Sequence, residues 1–151
     1  MDIALVDNRP ESLVDELVAI WRASVEATHD FLTPDDIERI AAYVPSAIAA
    51  IASLVIARDD GGVPLGFAGV DEGKLEMLFI GPDHRGTGVG KALLGFAVDE
   101  LGVKKVDVNE ENGQARGFYE HEGFVVVGRS ETDEQGEPFP ILHMELPESD
   151  A

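Results

Sequence analysis

The chain has no cysteine and little positive charge: 11 lysines and arginines stand against 30 aspartates and glutamates, a formal net charge of −19 over 151 residues. Without thiols there are no disulfides, no thiolate nucleophile and no cysteine-ligated zinc. The histidines, His29, His84, His121 and His143, lack metal-ligand spacing, so no metal is expected. The acidic excess repels phosphates and argues against nucleic acid. The acids spread along the whole chain, which reads as a solvated surface; attraction of a cationic acceptor is the alternative. Long apolar runs are missing too, as is a basic N-terminal segment, so neither a membrane span nor a signal peptide is expected, and a cytoplasmic location follows. The length fits one domain, residues 1–151, with enough chain to bury a sizeable core.

What the chain does have is concentrated in "LFIGPDHRGTGVGKALL", residues 78–94. Glycine loses the most backbone freedom on folding, yet Gly86, Gly88 and Gly90 alternate directly ahead of an apolar helical pattern. The preceding run Leu75–Ile80 is short, apolar and bounded by Gly73 and Gly81-Pro82, as a buried strand would be. After the glycines, Leu93, Leu94, Val98 and Leu101 recur at helical spacing, and Gly102 reads as a C-cap. The glycines therefore occupy a strand-to-helix turn. The first N–H groups of that helix have no internal partner and carry the positive end of its dipole. Glycines let a bulky anion reach them, and Arg85 and Lys91 add charge, so the segment reads as a phosphate cradle. It is not a P-loop, since Gly90-Lys91 is followed by Ala92 and no hydroxyl serves magnesium. Nor is it a dinucleotide fingerprint, because its third glycine comes one position early.

Periodicity organises the rest. A short strand at 3–6 precedes a helix opened by Pro10, with Leu13, Leu17, Trp21 and Val25 as its apolar stripe. Thr33-Pro34-Asp35-Asp36 reads as an N-cap, a proline and an acidic first turn, and Val44-Pro45 breaks or kinks the helix that follows. Strands are expected near 53–58 and 64–70, joined by a turn at Asp59–Gly62, then at 74–80, 103–109, 124–130 and 139–146, with a helix at 112–122. That order implies an α/β fold: a mixed sheet of about seven strands flanked by about four helices.

Two segments resemble one known family. Arg85-Gly86-Thr87-Gly88-Val89-Gly90 matches the Arg/Gln-x-x-Gly-x-Gly/Ala signature of the GNAT superfamily of acyl-CoA-dependent N-acetyltransferases. Asn112 to Phe124 is similar to that family's Asn-x-x-Ala-x-x-x-Tyr-x-x-x-Gly-Phe segment. The likeness covers residues 50–146, and "AIWRASVEATHDFL" is similar to a bacterial branch of the same superfamily. The resemblance implies a mostly antiparallel sheet in which the strands at 74–80 and 103–109 run parallel and splay apart. It implies acetyl-CoA as acyl donor, with pantetheine entering that gap and pairing with Met77, Leu78, Phe79 and Ile80 like an added strand. The pyrophosphate would then rest on Gly86, Thr87, Gly88, Val89, Gly90 and Lys91, beside Arg85.

An amine attacks a thioester only when neutral, so a base must take its proton. Glu76 is a carboxylate in an otherwise apolar strand and is one candidate; solvent exposure at that strand end is the plain alternative. Asp107 is the other, since alternation places it with Lys105 and Asn109, opposite Val106 and Val108; a simple pairing with Lys105 also explains it. Ordered water is a third route. The resemblance makes Tyr119 the acid that protonates the departing CoA sulfur, and gives Asn112 both a helix cap and a CoA contact. It places His29 and Asp30 at one wall of the acceptor pocket. The expected activity is transfer of an acetyl group to a primary amine of a small molecule or peptide, by a monomer or homodimer. A non-catalytic acyl-CoA-binding or sensing module is the alternative.

Overall fold

In chain order the residues form β1 (Asp2–Leu5), α1 (Glu11–Thr28), α2 (Pro34–Ala41), α3 (Val44–Ala50), β2 (Ser53–Arg58), β3 (Pro64–Asp71), β4 (Lys74–Ile80), a 3-10 turn (Pro82–His84), α4 (Val89–Leu101), β5 (Lys105–Asn109), α5 (Gly113–His121), β6 (Val125–Ser130) and β7 (Ile141–Glu145). The computed structural model describes residues 1–28 and 30–147. The strands make one seven-stranded sheet in the order β1-β2-β3-β4-β5-β7-β6. Neighbours are antiparallel except β4 and β5, which are parallel, as the family resemblance implies.

Period-two alternation sends successive side chains to opposite faces, and here both faces of the central strands are covered. Leu54, Ile56 and Phe67 pack with Leu17, Trp21 and Val25 of α1 and Ile48 of α3. Val55, Ala57, Ala68 and Val70 pack on the other face with Leu93, Leu94 and Ala97 of α4 and Tyr119 of α5. The expected α1 stripe is buried throughout, and Leu17 is 0% exposed, where full burial of a leucine contributes about 1.5–3 kcal/mol.

Local signals set most boundaries. Thr33 Oγ1 accepts the Asp36 N–H at 3.1 Å while Asp36 Oδ2 accepts the Thr33 N–H at 3.0 Å, a complete capping box. Gly102 closes α4 at φ 68°. Asp59 Oδ1 accepts the N–H groups of Gly61 and Val63, both at 2.9 Å, fixing the β2–β3 turn. One boundary differs from expectation. The second helix stops at Ala41, ahead of Val44-Pro45, and a separate α3 begins at Val44, so the described residues hold five α-helices. Pro45 lies in the first turn of α3, where its missing N–H leaves no bond unmade. Arg9 then secures the far end of α3, its Nη1 donating to Ile48 O and Ala49 O at 3.1 Å each and to Ile51 O at 2.6 Å. Among the described residues no helix is long and apolar enough to cross a membrane.

Candidate active site

Strand β4 meets β5 only at its start: Lys74 pairs with Lys105 and Leu75 with Val106, and there the parallel pairing ends. On its other edge β4 stays paired with β3, where Gly69 opposes Met77 and Val70 opposes Leu75. Glu76 is the extra residue between them, a bulge of the kind that re-aims a side chain. A Cβ at Gly69 beside it would stand 2.7 Å from Met77 Cε, the end of a flexible side chain that would have to turn aside. Beyond the bulge β4 diverges from β5, and a cleft of about 740 Å³ opens between them. Met77, Leu78, Phe79 and Ile80 line it, as expected.

The cleft continues to the glycine turn. Gly86 and Gly88 have φ of 75° and 89°, the left-handed region, and nothing stands within 4 Å of a Cβ built at either. Gly88 is the N-cap of α4 and supplies no side-chain bond to it. Gly90 is helical and lines the cleft together with Arg85, Gly86, Gly88 and Lys91. Thr87 and Val89 do not line the cleft: Thr87 Oγ1 donates to His84 O, and Val89 is buried in the core. Arg85 is held across the turn by its bond to Gln114 Oε1 of α5.

Helix α5 brings Tyr119 to the cleft. Asn112 Oδ1 accepts the Ala115 N–H at 3.1 Å and so caps the helix; Asn112 also lines the cleft. Tyr119 packs edge-on against Phe118 and Phe124, with ring centroids 5.2 Å and 5.7 Å away. Burial pushes its phenol well above the ordinary range, so the O–H keeps its proton throughout physiological pH.

Both candidate carboxylates line the cleft, in contrasting states. Partial burial raises Glu76; Lys74 opposes the rise, and Glu134, Asp107 and Asp71 add to it. Partial burial also pushes Asp107 upward, but the bonds from Lys74 and His143 outweigh it and hold the carboxyl below its ordinary value. Lys74 Nζ lies 2.8 Å from Asp107 Oδ2, 3.7 Å from Glu76 Oε1 and 3.6 Å from Glu134 Oε1. His143 Nδ1 lies 2.8 Å from Asp107 Oδ1. Lys105 is not the partner of Asp107; it reaches Glu145 instead, at 3.8 Å.

Comparison with known proteins places this geometry. The acetyltransferase (GNAT) domain family matches residues 22–146. The chain belongs to the GNAT family of acetyltransferases. It is 41% identical over 137 residues to the peptidyl-lysine N-acetyltransferase YjaB of Salmonella typhimurium, a match covering 88% of this chain and 91% of that protein. The Escherichia coli protein of the same name is 42% identical over 130 residues, covering 86% of this chain and 88% of its own length. The solution structure of apo YjaB from Escherichia coli superposes with a TM-score of 0.87 at 38% identity, over 99% of this chain and 100% of that one. A Thermoplasma acidophilum PaiA N-acetyltransferase bound to coenzyme A shares the fold, with a TM-score of 0.70 at 20% identity over 96% and 99% of the two chains. The protein is thus an acetyltransferase, of a family that uses acetyl-CoA.

Asp30 is exposed and does not line the cleft, and His29 lies outside the described residues. Ser24 and Thr28, from the last turns of α1, line it instead. Sequence reasoning also passed over Lys74, Gln114 and His143. Alternation in the final strand offered a signal for His143, which takes the face opposite the buried Met144 and pairs directly with Asp107.

Proposed function

We propose that this enzyme transfers the acetyl group of acetyl-CoA directly to a primary amine, with the lysine side chain of a protein or peptide as the acceptor. The observation that carries the reading is the single cleft that joins the freed edge of β4, the glycine turn at α4, Glu76 and Tyr119. Pantetheine lies along Met77–Ile80 as an added strand, bonding to backbone groups that β5 leaves unpaired. The pyrophosphate sits on the N–H groups of residues 86–91, with Arg85 and Lys91 supplying positive charge. Asn112 both caps α5 and meets the coenzyme.

Glu76 takes the proton from the acceptor ammonium, directly or through one water, and the neutral amine attacks the thioester carbonyl. Its raised pKa makes it the better base, whereas Asp107 is committed to Lys74 and His143. Two carboxylates driven apart by their surroundings commonly divide such roles. As the tetrahedral adduct collapses, Tyr119 donates its proton to the CoA sulfur. A lysine acceptor is supported by the names of the 41–42% identical relatives and by the carboxylates, Glu76, Asp107 and Glu122, that face an incoming cation. His29 and Asp30 remain the acceptor-side residues to probe, together with Ser24 and Thr28. The test is incubation with acetyl-CoA and a panel of lysine peptides and small amines, following thiol release and acceptor mass. Acetylated lysine is the expected product; acetylation of small amines alone would overturn the acceptor assignment, and no thiol release with any acceptor would overturn the reading.

A further inference from the structure

Three side chains from neighbouring strands form a chain on the sheet face opposite Val106, Val108 and Met144. Asp107 (β5) stands directly across from His143 (β7), and His143 Nδ1 lies 2.8 Å from Asp107 Oδ1. His143 Nε2 in turn lies 2.7 Å from Ser130 Oγ of β6. The register that allows this depends on a bulge: Val126 pairs with Met144 and Gly128 with His143, so Val127 is the extra residue. Ser130, two residues beyond Gly128, then shares its face and reaches His143 diagonally. Gly128 lies beside the His143 ring, and a Cβ there would make an ordinary 3.5 Å contact with it.

Lys74 holds the second oxygen of Asp107 at 2.8 Å, which keeps the carboxylate ionised and therefore acceptor-only. Nδ1 of His143 must then carry the hydrogen, leaving the Nε2 lone pair to accept the Ser130 O–H. Nucleophile, base and orienter thus sit within hydrogen-bond reach, the arrangement that activates a hydroxyl on unrelated folds. Strand β6 is the edge of the sheet, so alternate N–H groups near Ser130 face away from β7 and are free of strand pairing to serve an oxyanion.

We propose that Ser130, with His143 as base and Asp107 as the positioning residue, is the nucleophile of a second acyl site that takes small activated carboxylic esters and needs no coenzyme. Ser130 Oγ bonds to the ester carbonyl carbon as its proton passes to His143 Nε2. The adduct collapses by breaking the bond to the leaving alkoxide, which takes that proton from His143. Water then attacks acyl-Ser130 by the same route, giving the carboxylic acid and restoring the hydroxyl.

The test uses the intact protein without acetyl-CoA, treated with a fluorophosphonate probe and, separately, with p-nitrophenyl acetate. Peptide mass analysis is expected to find the phosphonyl adduct at Ser130 and not at the exposed Ser12 or Ser46. His143→Gln is expected to slow the labelling by roughly 10²–10⁴, the yield usual for a positioned base. No adduct at Ser130, equal labelling of Ser12 or Ser46, or a His143→Gln rate within tenfold of the parent overturns the proposal. A chain that merely braces β6 against β5 would lower Tm in Ser130→Ala and give the parent no selective labelling. The serine comparison within the parent protein keeps the test decisive if His143→Gln fails to fold.

Discussion

Lys74→Met deletes an ammonium 3.7 Å from Glu76 Oε1 and 2.8 Å from Asp107 Oδ2 while keeping the reach of the side chain. Two unit charges at that longer distance interact by ~1 kcal/mol in water-like surroundings. Lys74 and Glu76 are only 27% and 34% exposed, so partial desolvation makes this water-like value a lower bound. That energy corresponds to ~0.8 of a pH unit. Burial already raises the Glu76 carboxyl, and Lys74 opposes the rise, so removing Lys74 raises it further. A base works when ionised, and its activity falls as pH drops through its pKa. The acidic limb of kcat/KM therefore moves to higher pH by at least roughly half a unit in Lys74→Met, and Lys74→Arg restores it. Thiol-release rates at saturating acetyl-CoA, from about pH 5 to pH 9, resolve a shift of that size. Glu76→Gln should lose the limb and recover partly at high pH, where the free amine is already neutral. A limb that stays fixed or moves down in folded Lys74→Met, or that survives in Glu76→Gln, refutes Glu76 as the base. Asp107→Asn, made in parallel, assigns the base to Asp107 if it alone shows the high-pH recovery.

Two glycine substitutions separate ligand approach from folding. Gly90→Ala places a Cβ 3.6 Å from Ile80 Cγ1 and 3.7 Å from Phe118 Cζ, ordinary contacts on the cleft wall at a position where the family signature takes either glycine or alanine, so the thermal shift with acetyl-CoA should persist and the apo protein should gain ~0.5–1 kcal/mol. Gly88→Val should lose the shift at a folding cost of about 1–2 kcal/mol for its left-handed backbone; an undiminished shift contradicts the phosphate assignment. Raising salt from very low to moderate should strengthen acetyl-CoA binding in titration calorimetry, because it screens the −19 charge; a steep monotonic fall shows that Arg85 and Lys91 dominate instead. Arg9→Met should cost ~1.5–3 kcal/mol in urea unfolding, for charged bonds to three carbonyls at the end of α3, while leaving acetyl-CoA affinity unchanged.

Much of this was legible from local chemistry. The strand–turn–helix at 74–101 follows from an apolar run, left-handed glycines and a dipole-bearing helix start, all within one short segment. The capping box at Thr33 and the C-cap at Gly102 were readable because each is settled within four residues. The break near residue 43 was foreseen in kind, but Pro45 opens α3 rather than ending α2, because proline suits a helix start and the sequence favours both roles. What escaped was non-local. Lys74 joins Glu76 and Asp107 only because β4 lies parallel to β5, and His143 meets Asp107 only in the β5–β7 register. Two bulges, at Glu76 and Val127, shift the alternation that a sequence reading assumes to be unbroken. The acceptor wall was placed in the turn after α1, whereas Ser24 and Thr28 line the cleft from the last turns of α1, on the same face as Leu17 and Trp21, which a sequence reading takes wholly as core.

Tyr119→Phe tests the central claim most directly, because it removes one hydroxyl and leaves the ring among Phe118 and Phe124. The measurement is kcat for acetyl transfer to a lysine peptide, paired with the Kd for acetyl-CoA on the same preparation. If Tyr119 protonates the departing thiolate, kcat falls by roughly 10²–10⁴ while Kd is unchanged. A folded Tyr119→Phe protein with kcat near that of the parent contradicts the account.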